Sequence, residues 1–84
     1  MRLILKDGTV IEGASAGYTT GTLWCYMKGL TLMEAAAIFF DPKKTARIIF
    51  VYGEMEDVYV GYTRCTNLKI DMDGEVAVCL MKEE

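Results

Sequence analysis

Histidine is absent from all 84 residues of the chain. Its absence excludes serine–histidine and cysteine–histidine catalysis, and it removes the commonest ligand of zinc, copper and non-haem iron. A phosphate-cradling glycine loop is also absent, because no glycine is followed by the lysine and serine or threonine that such a loop needs. Residues 71–75 are too short a ligand series for a calcium loop. We therefore expect a protein that is not an enzyme and has no cofactor and no metal site.

Cysteine is scarce, and long apolar runs are missing. Cys25, Cys65 and Cys79 include no Cys-x-x-Cys pair, so we interpret them as reduced packing residues rather than reactive thiols. The longest apolar run, residues 35–40, is far shorter than the roughly 18 residues that cross a membrane. The first eight residues lack the features of a secretory signal, so we expect a cytoplasmic location.

Basic residues are outnumbered, with 9 lysines and arginines against 12 acidic residues, a formal charge of −3 and a pI near 4.9. This balance argues against general binding to a nucleic-acid backbone, which usually needs a basic face. Hydrophobic residues make up 52% of the chain, which is too apolar for disorder. The length fits a single compact domain over residues 1–84.

The most distinctive segment is an apolar stretch over residues 31–40, which we predict to be a helix. Thr31 and Glu34 have the spacing of a capping box, and Asp41-Pro42 ends the helix because the residue before proline disfavours the α conformation. Only Glu34 is polar between these signals. A helix that is apolar nearly all round needs cover on both sides, which predicts a homo-oligomer.

Strand signals occupy most of the remaining chain. Asp7-Gly8 and Asp73-Gly74 each favour a two-residue β-hairpin. The predicted strands are residues 2–6, 9–13, 22–27, 46–52, 57–62, 67–72 and 75–80. The composition of residues 14–21 predicts a mobile loop or an irregular crossing, and Gly61 indicates a bulge. The apolar strand 46–52 is predicted to be central, with both faces buried. The fold class that follows is α+β, a mostly antiparallel sheet or small half-open barrel of about seven strands, with one apolar helix packed across it.

A basic cluster after the helix is the first candidate site, formed by Lys43, Lys44 and Arg47, with Lys28 as a further candidate member. One interpretation is that these cations only interact with the dipole at the C-terminus of the helix. The functional interpretation is that an oligomer brings several copies of the cluster together to hold a phosphate or an acidic partner, using the bidentate geometry of arginine.

The second candidate site combines two tyrosines, an arginine and short polar side chains: Tyr59, Tyr62, Thr63, Arg64, Thr66 and Asn67. Tyrosine and arginine are enriched at binding hot spots, and an arginine can also stack on a nucleobase. The alternative is that both tyrosines are ordinary sheet residues and that Arg64 pairs with an acidic residue of the 54–57 turn. Trp24 and Tyr26 share one face of their strand, and we favour packing under the helix over a ligand platform for them.

Four stretches carry a resemblance that covers most of the chain: residues 5–9, 34–45, 58–63 and 71–80. With them the chain resembles small proteins of phages and prophages in gut Firmicutes. The resemblance carries over no binding residue. It implies a compact non-catalytic protein that is either a virion or tail accessory or an inhibitor of host defence, a group that includes oligomeric sponges for nucleotide signals.

We therefore expect a non-enzymatic, homo-oligomeric binding protein of phage type that acts in counter-defence, in the cytoplasm of the host cell. It would sequester a small anionic, nucleotide-like host signal or occlude a host defence protein, and a virion or tail accessory is the alternative. For a nucleotide, Arg64 with Arg47, Lys43 or Lys44 would bind the phosphate, and Tyr62 or Tyr59 would stack on the base.

Overall fold

The computed structural model describes residues 1–83, and most of them lie in β-strands. In chain order the elements are β1 (Arg2–Leu5), β2 (Val10–Glu12), β3 (Ser15–Thr19), β4 (Thr22–Met27), α1 (Leu32–Phe39), α2 (Pro42–Thr45), β5 (Arg47–Tyr52), β6 (Met55–Val60), β7 (Arg64–Ile70) and β8 (Val76–Met81). The first sheet has the order β2-β1-β5-β6, and the second has the order β3-β4-β8-β7. All paired strands are antiparallel.

The two predicted hairpins and the capped helix are confirmed, but each hairpin loop has three residues, 6–8 and 72–74, and not the expected two. Gly8 and Gly74 adopt positive φ at the two hairpin turns, where glycine avoids the steric cost of a Cβ. At the start of α1 the Thr31 hydroxyl accepts a hydrogen bond from the backbone N–H of Glu34, whose carboxylate accepts one from the backbone N–H of Thr31. Sequence spacing alone predicts these features because each depends on residues within four positions of one another.

Two elements differ from the prediction. Residues 15–19, expected to lie in a mobile loop or an irregular crossing, form β3 at the edge of the second sheet. All five of its residues are exposed, so backbone pairing with β4 specifies this strand and no hydrophobic pattern marks it. The expected turn after α1 contains the short helix α2, with Pro42 in its first turn and the Asp41 carboxylate accepting a hydrogen bond from the N–H of Lys43.

The chain passes between the sheets three times, through α1 and α2 between β4 and β5 and in two short stretches, from β2 to β3 and from β6 to β7. Gly13 and Gly61 have positive φ at these crossings. The N–H of Gly61 donates to the carbonyl of Ala46, which fixes the second crossing to the start of β5. The predicted bulge at Gly61 is thus a passage between sheets, and the register shift lies further on, between Cys65 and Asn67.

Alternate residues of the inner strands build the core between the sheets. Its aliphatic members from the inner strands are Leu3, Leu5, Leu23, Ile48, Val76, Val78 and Leu80. The outward residues of β5 depart from the expectation that both of its faces are buried, because Ile49 and Val51 are only half-buried. Helix α1 contacts β7, β8 and α2, so the outer faces of both sheets lie largely open within the described residues.

The fold is mainly β rather than clearly α+β. The predicted antiparallel character is confirmed, but there are eight strands and a second short helix. Within residues 1–83 no strand of one sheet pairs with a strand of the other, so the sheets do not close into a barrel. Helix α1 buries Ala35 and Phe39, while the side chain of Met33 is 85% exposed. Its apolar surface is therefore covered on one side only within a single chain.

Candidate functional site

The outer face of the second sheet gathers the most binding chemistry in the molecule. We name it the aromatic face. On β4, Leu23 and Cys25 point into the core, so the residues between and beyond them point outward. The register extends this face across β8 and β7. Its side chains are Thr22, Trp24, Tyr26, Arg64, Asn67, Lys69, Ala77, Cys79 and Met81, with β3 contributing Ser15, Gly17 and Thr19.

Two aromatic rings lie at the centre of this face. The rings of Trp24 and Tyr26 are nearly parallel, with an interplanar angle of 14° and centroids 6.3 Å apart, and both side chains are half-buried. Gly17 pairs with Trp24 on β3, and a Cβ placed on it would meet the Tyr26 ring at 4.0 Å. The outward-facing Ala77 and Cys79 are nonetheless buried, which indicates that larger neighbours cover them. Small residues beside large rings thus create a broad aromatic surface.

Cations border the rings on one side. The Nζ of Lys69 lies 5.8 Å from the centroid of the Trp24 ring, within range of a cation–π interaction. Arg64 is exposed, and its Nη2 lies 3.6 Å from the sulfur of Met81. None of the outward-facing strand residues of this face is acidic, although the protein as a whole carries a charge of −3. The aromatic face is therefore locally positive.

A shallow depression of about 690 Å³ adjoins the aromatic face where β8 ends. Its lining residues are Gly21, Arg64, Met81, Lys82 and Glu83. The aliphatic part of the Lys82 side chain lies close to Gly61, where an added Cβ would meet it at 3.7 Å. Arg64 belongs both to the depression and to the aromatic face, so the two form one continuous surface.

Tyr59 and Tyr62 pack inside a cluster of tyrosines, away from the aromatic face. Tyr62 is buried, and its ring centroid lies 5.8 Å from that of Tyr59 and 6.1 Å from that of Tyr18. The Tyr62 hydroxyl donates to the Tyr18 hydroxyl at 3.1 Å, which lowers the pKa of Tyr18 and raises the pKa of Tyr62 to about 12. Burial raises the pKa of Tyr59. Neither Tyr59 nor Tyr62 stands beside Arg64 as an open stacking surface.

The basic cluster occupies a different part of the molecule from Arg64. Lys43 and Lys44 lie on α2, and the carbonyl of Lys44 accepts a hydrogen bond from the N–H of Lys6. Arg47 begins β5 and points to the outer face of the first sheet. A single chain therefore does not bring Arg47 and Arg64 onto one face, and a shared site needs a second subunit.

The hairpin tip between β7 and β8 holds a cluster of three carboxylates. Oxygens of Asp71, Asp73 and Glu75 lie within 4.8 Å of one another. The Asp71 carboxylate accepts hydrogen bonds from the backbone N–H groups of Asp73 and Glu75. These bonds shape the turn, so its geometry is explained without a ligand.

Trp24 and Tyr26 are the site residues that sequence reasoning misassigned, since they do not pack under the helix. β4 is apolar at every position from Leu23 to Met27, so its pattern does not reveal which face is buried. The outward face of the second sheet is marked instead on β7, two strands from β4, where the polar Asn67 and Lys69 alternate with the apolar Leu68. That signal becomes readable only when the strand order is known.

No protein-family model, curated protein or solved structure matches the chain. Within residues 1–83 no helix is long and apolar enough to cross a membrane.

Proposed function

We propose that the protein is a non-enzymatic binding protein whose aromatic face takes a flat, anionic small molecule of the nucleotide class. The observation that carries the proposal is the nearly parallel pair of Trp24 and Tyr26 with Lys69 beside it, on a face whose outward-pointing strand residues include no acidic residue. Aromatic side chains stack on nucleobases, and lysine and arginine bind phosphate. The face thus supplies both kinds of contact that a nucleotide needs.

The spacing of the face suits one nucleotide. Thr22 and Arg64 lie in one row across the sheet, and the row of Trp24 is one two-residue step away along the strands, about 7 Å. Arg64 is on β7 and Trp24 on β4, two strands apart, which is roughly 10 Å across the sheet. A base stacked on Trp24 therefore places its phosphate within reach of the long Arg64 or Lys69 side chain. Compared with the sequence-based hypothesis, this proposal keeps Arg64 and assigns stacking to Trp24 and Tyr26 in place of Tyr59 and Tyr62.

The biological role that we propose is sequestration of a nucleotide-like host signal in phage counter-defence, in the host cytoplasm. The exposed cations and the absence of catalytic histidine support capture rather than turnover of such a ligand. In the other form of this counter-defence role, the same face would bind a host defence protein and occlude it. The counter-defence setting itself rests on the resemblance to phage and prophage proteins.

Homo-oligomerisation is part of the proposal. Met33, Ala37 and Phe40 recur at i, i+4 and i+7 and are all exposed, with Phe40 59% accessible. Together they form an apolar stripe along the solvent side of α1, which we name the helix stripe. Such a stripe is typical of a helix that packs against a second subunit.

A virion or tail accessory is the second candidate function. The observation that favours it is that exposed apolar surface occurs on more than one side, at the helix stripe and on the outer face of the first sheet. Subunits with two different contact surfaces can join head to tail into rings or filaments. A virion component would form such assemblies and would not bind nucleotides.

Calorimetry against a panel of linear and cyclic nucleotides tests the binding proposal. Trp24→Ala should weaken binding by about 1–3 kcal/mol, the usual loss when one aromatic stacking partner is removed. Arg64→Ala should cost about as much because a charge-assisted contact is lost. Arg47→Ala is the matched control, since it removes an equally exposed arginine from the other sheet.

Two results would contradict this proposal. The first is no heat with any nucleotide, which leaves a protein-binding inhibitor or a tail component. The second is that Arg47→Ala weakens nucleotide binding and Trp24→Ala does not. This result would indicate that the basic cluster, and not the aromatic face, is the binding site.

A further inference from the structure

The depression at the end of β8 extends the proposed ligand site beyond the aromatic face. Its volume of about 690 Å³ lies within the usual range for small-molecule sites. Arg64 and Met81 line the depression and also belong to the aromatic face. The other lining residues, Gly21, Lys82 and Glu83, lie beyond the last paired row of β4 and β8. The depression therefore begins where the aromatic face ends.

Strand geometry places the depression within reach of a ligand whose base stacks on Trp24. Trp24 pairs with Cys79 on β8, and Met81 follows two residues later in the row of Arg64. Glu83 is four residues beyond Cys79, at most roughly 14 Å along the chain. A chain of phosphates that leaves the base in this direction first passes Arg64 and then enters the depression.

The charges at the two ends of the second sheet favour this direction over the opposite one. Towards the depression, a phosphate chain meets the cations of Arg64 and Lys82. At the opposite end is the β7–β8 hairpin tip, where oxygens of three carboxylates lie within 4.8 Å of one another. Lys69 lies on that side of Trp24, but a phosphate chain longer than one unit would run from Lys69 towards the acidic tip, which repels it.

Backbone hydrogen bonds fix the lining of the depression. The N–H of Lys82 donates to the carbonyl of Gly21 at 3.3 Å. The N–H of Glu83 donates to the carbonyl of Gly61 at 3.0 Å, and the stem of Lys82 lies against the same glycine. Because these contacts hold the segment after β8 in place, a ligand loses little binding free energy in ordering it.

We propose that the depression is a subsite for a second phosphate, which makes the ligand class nucleotides with two or more phosphates in a chain. This inference rests on the proposed function, because the base must stack on Trp24 for the phosphates to arrive in this order. Arg64 then contacts the first phosphate, and Lys82 contacts the second. The carboxylate of Glu83 also lines the depression, but the two cations outnumber it, so a phosphate is attracted there.

Calorimetry with the mono- and diphosphates of the four common nucleosides tests the subsite, in buffer without divalent cations. The diphosphate should bind about tenfold more tightly than the monophosphate of the same nucleoside, as expected for one added charge-assisted contact. Lys82→Met keeps the aliphatic stem and removes the charge, so it should abolish most of this difference and leave monophosphate binding unchanged. Glu83→Gln should enlarge the difference, because it removes a charge that repels the second phosphate.

Two further variants serve as controls. Lys6→Met removes an equally exposed lysine from a hairpin loop of the first sheet and should leave both affinities unchanged. Lys82→Arg keeps the charge and should preserve the advantage of the diphosphate. A diphosphate that binds no more tightly than its monophosphate overturns the proposal. So does a Lys82→Met variant that weakens the binding of both nucleotides equally.

Inorganic tripolyphosphate distinguishes a failure of the subsite from a failure of the proposed function. It has no base, so Lys82→Met should weaken its binding and Trp24→Ala should not. Tripolyphosphate that is bound in this way by a chain without affinity for any nucleotide would contradict stacking on the aromatic face and support the phosphate subsite. Tripolyphosphate that does not bind, or that binds the Lys82→Met variant as tightly as the wild-type chain, overturns the subsite.

Discussion

Trp24 is the only tryptophan of the chain, and its strand neighbours explain why its ring lies outward. Leu23 and Cys25 are fully buried on the opposite face of β4, so strand alternation leaves Trp24 facing solvent. Gly17 on β3 and Cys79 on β8 flank it directly. Because both flanking residues are small, a large ring fits there without displacing a neighbouring side chain.

The hydrogen bond between Tyr62 and Tyr18 gives the first prediction at the residue scale. Tyr62→Phe removes the hydroxyl that donates to Tyr18, so the lowered pKa of Tyr18 should rise towards its ordinary value of 10.0. Loss of the bond should also cost about 0.5–1.5 kcal/mol of stability. A pH titration of the tyrosine ring resonances measures the pKa, and Tyr52→Phe is the control because Tyr52 bonds to Asp57 instead.

The sign of the accompanying pH dependence follows from Tyr62. Its pKa is raised to about 12 in the folded chain, so the folded state holds this proton more tightly than the unfolded state. The stabilisation is complete below pH 10 and is lost as the pH rises from about 10 towards 12. A Tyr62→Phe chain whose alkaline unfolding profile matched that of the wild type would contradict this assignment.

The cysteines give a second prediction at the same scale. Burial raises the pKa of the Cys25 thiol strongly and that of the Cys65 thiol to a smaller extent, and Cys79 is also buried. Thiolates, not thiols, react, so a thiol reagent at neutral pH should leave Cys25 unmodified in the native chain, and burial should keep the reagent away from Cys79. Replacement of all three with alanine or valine should preserve binding. Rapid native modification of Cys25, or a folded triple variant without binding, would show that the thiols have a role.

At the scale of elements, helix α1 depends on its capping box. Thr31→Ala should lower the free energy of unfolding by about 1 kcal/mol, because the N–H of Glu34 loses its acceptor. Thr20→Ala, at an exposed turn, is the control. Urea unfolding measures both, and an equal loss in the two variants would contradict the cap.

The cap should also be sensitive to acid. A hydrogen bond from the backbone N–H of Thr31 holds the pKa of the Glu34 carboxyl below its ordinary value of 4.5. The stabilisation is therefore present above pH 4.5 and is lost as the pH falls through the lowered pKa. Glu34→Gln should be less acid-sensitive than the wild type over this interval.

The sequence predicts those elements whose signals are local. The Asp-Gly turns define both hairpins, and the capping box with Asp41-Pro42 defines α1. β3 escapes sequence prediction because its five exposed residues have no apolar alternation and are held by pairing with a distant strand. Helix α2 escapes it because four residues show no helical period.

The candidate site is predictable only in part for a related reason. Arg64 is recognisable as an exposed cation beside aromatic residues, but the sequence does not reveal which aromatic rings share its face. That depends on β7, β8 and β4 being neighbours in the second sheet, which is a long-range property. Tyr62 is only two residues from Arg64 in sequence but is buried, whereas Trp24 is distant in sequence and lies on the same face as Arg64.

At the scale of the whole molecule, two surfaces have separate tasks in our account. The aromatic face binds ligand, and the helix stripe joins copies of the chain. No residue of the helix stripe belongs to the aromatic face, so the two tasks use different side chains.

The helix stripe gives the prediction at this scale. Phe40→Glu should lower the number of subunits in the assembly. It should not unfold the chain, because Phe40 is already 59% exposed in the single subunit. Met72→Glu is the control, since Met72 lies fully exposed at a hairpin tip and does not belong to the helix stripe. Native mass spectrometry reports the subunit number. A wild-type chain that is monomeric at micromolar concentration would show that the stripe has no partner copy.

The central claim is that the aromatic face binds a flat anionic ligand, and the fluorescence of Trp24 tests it most directly. Because the chain has no other tryptophan, a change in emission reports on this face alone. Titration with nucleotides should quench Trp24 saturably, and Lys69→Ala and Arg64→Ala should each shift the curve to higher ligand concentration while Arg47→Ala does not. Emission that stays unchanged with every nucleotide, or a curve that Arg64→Ala and Lys69→Ala leave in place, would contradict the account.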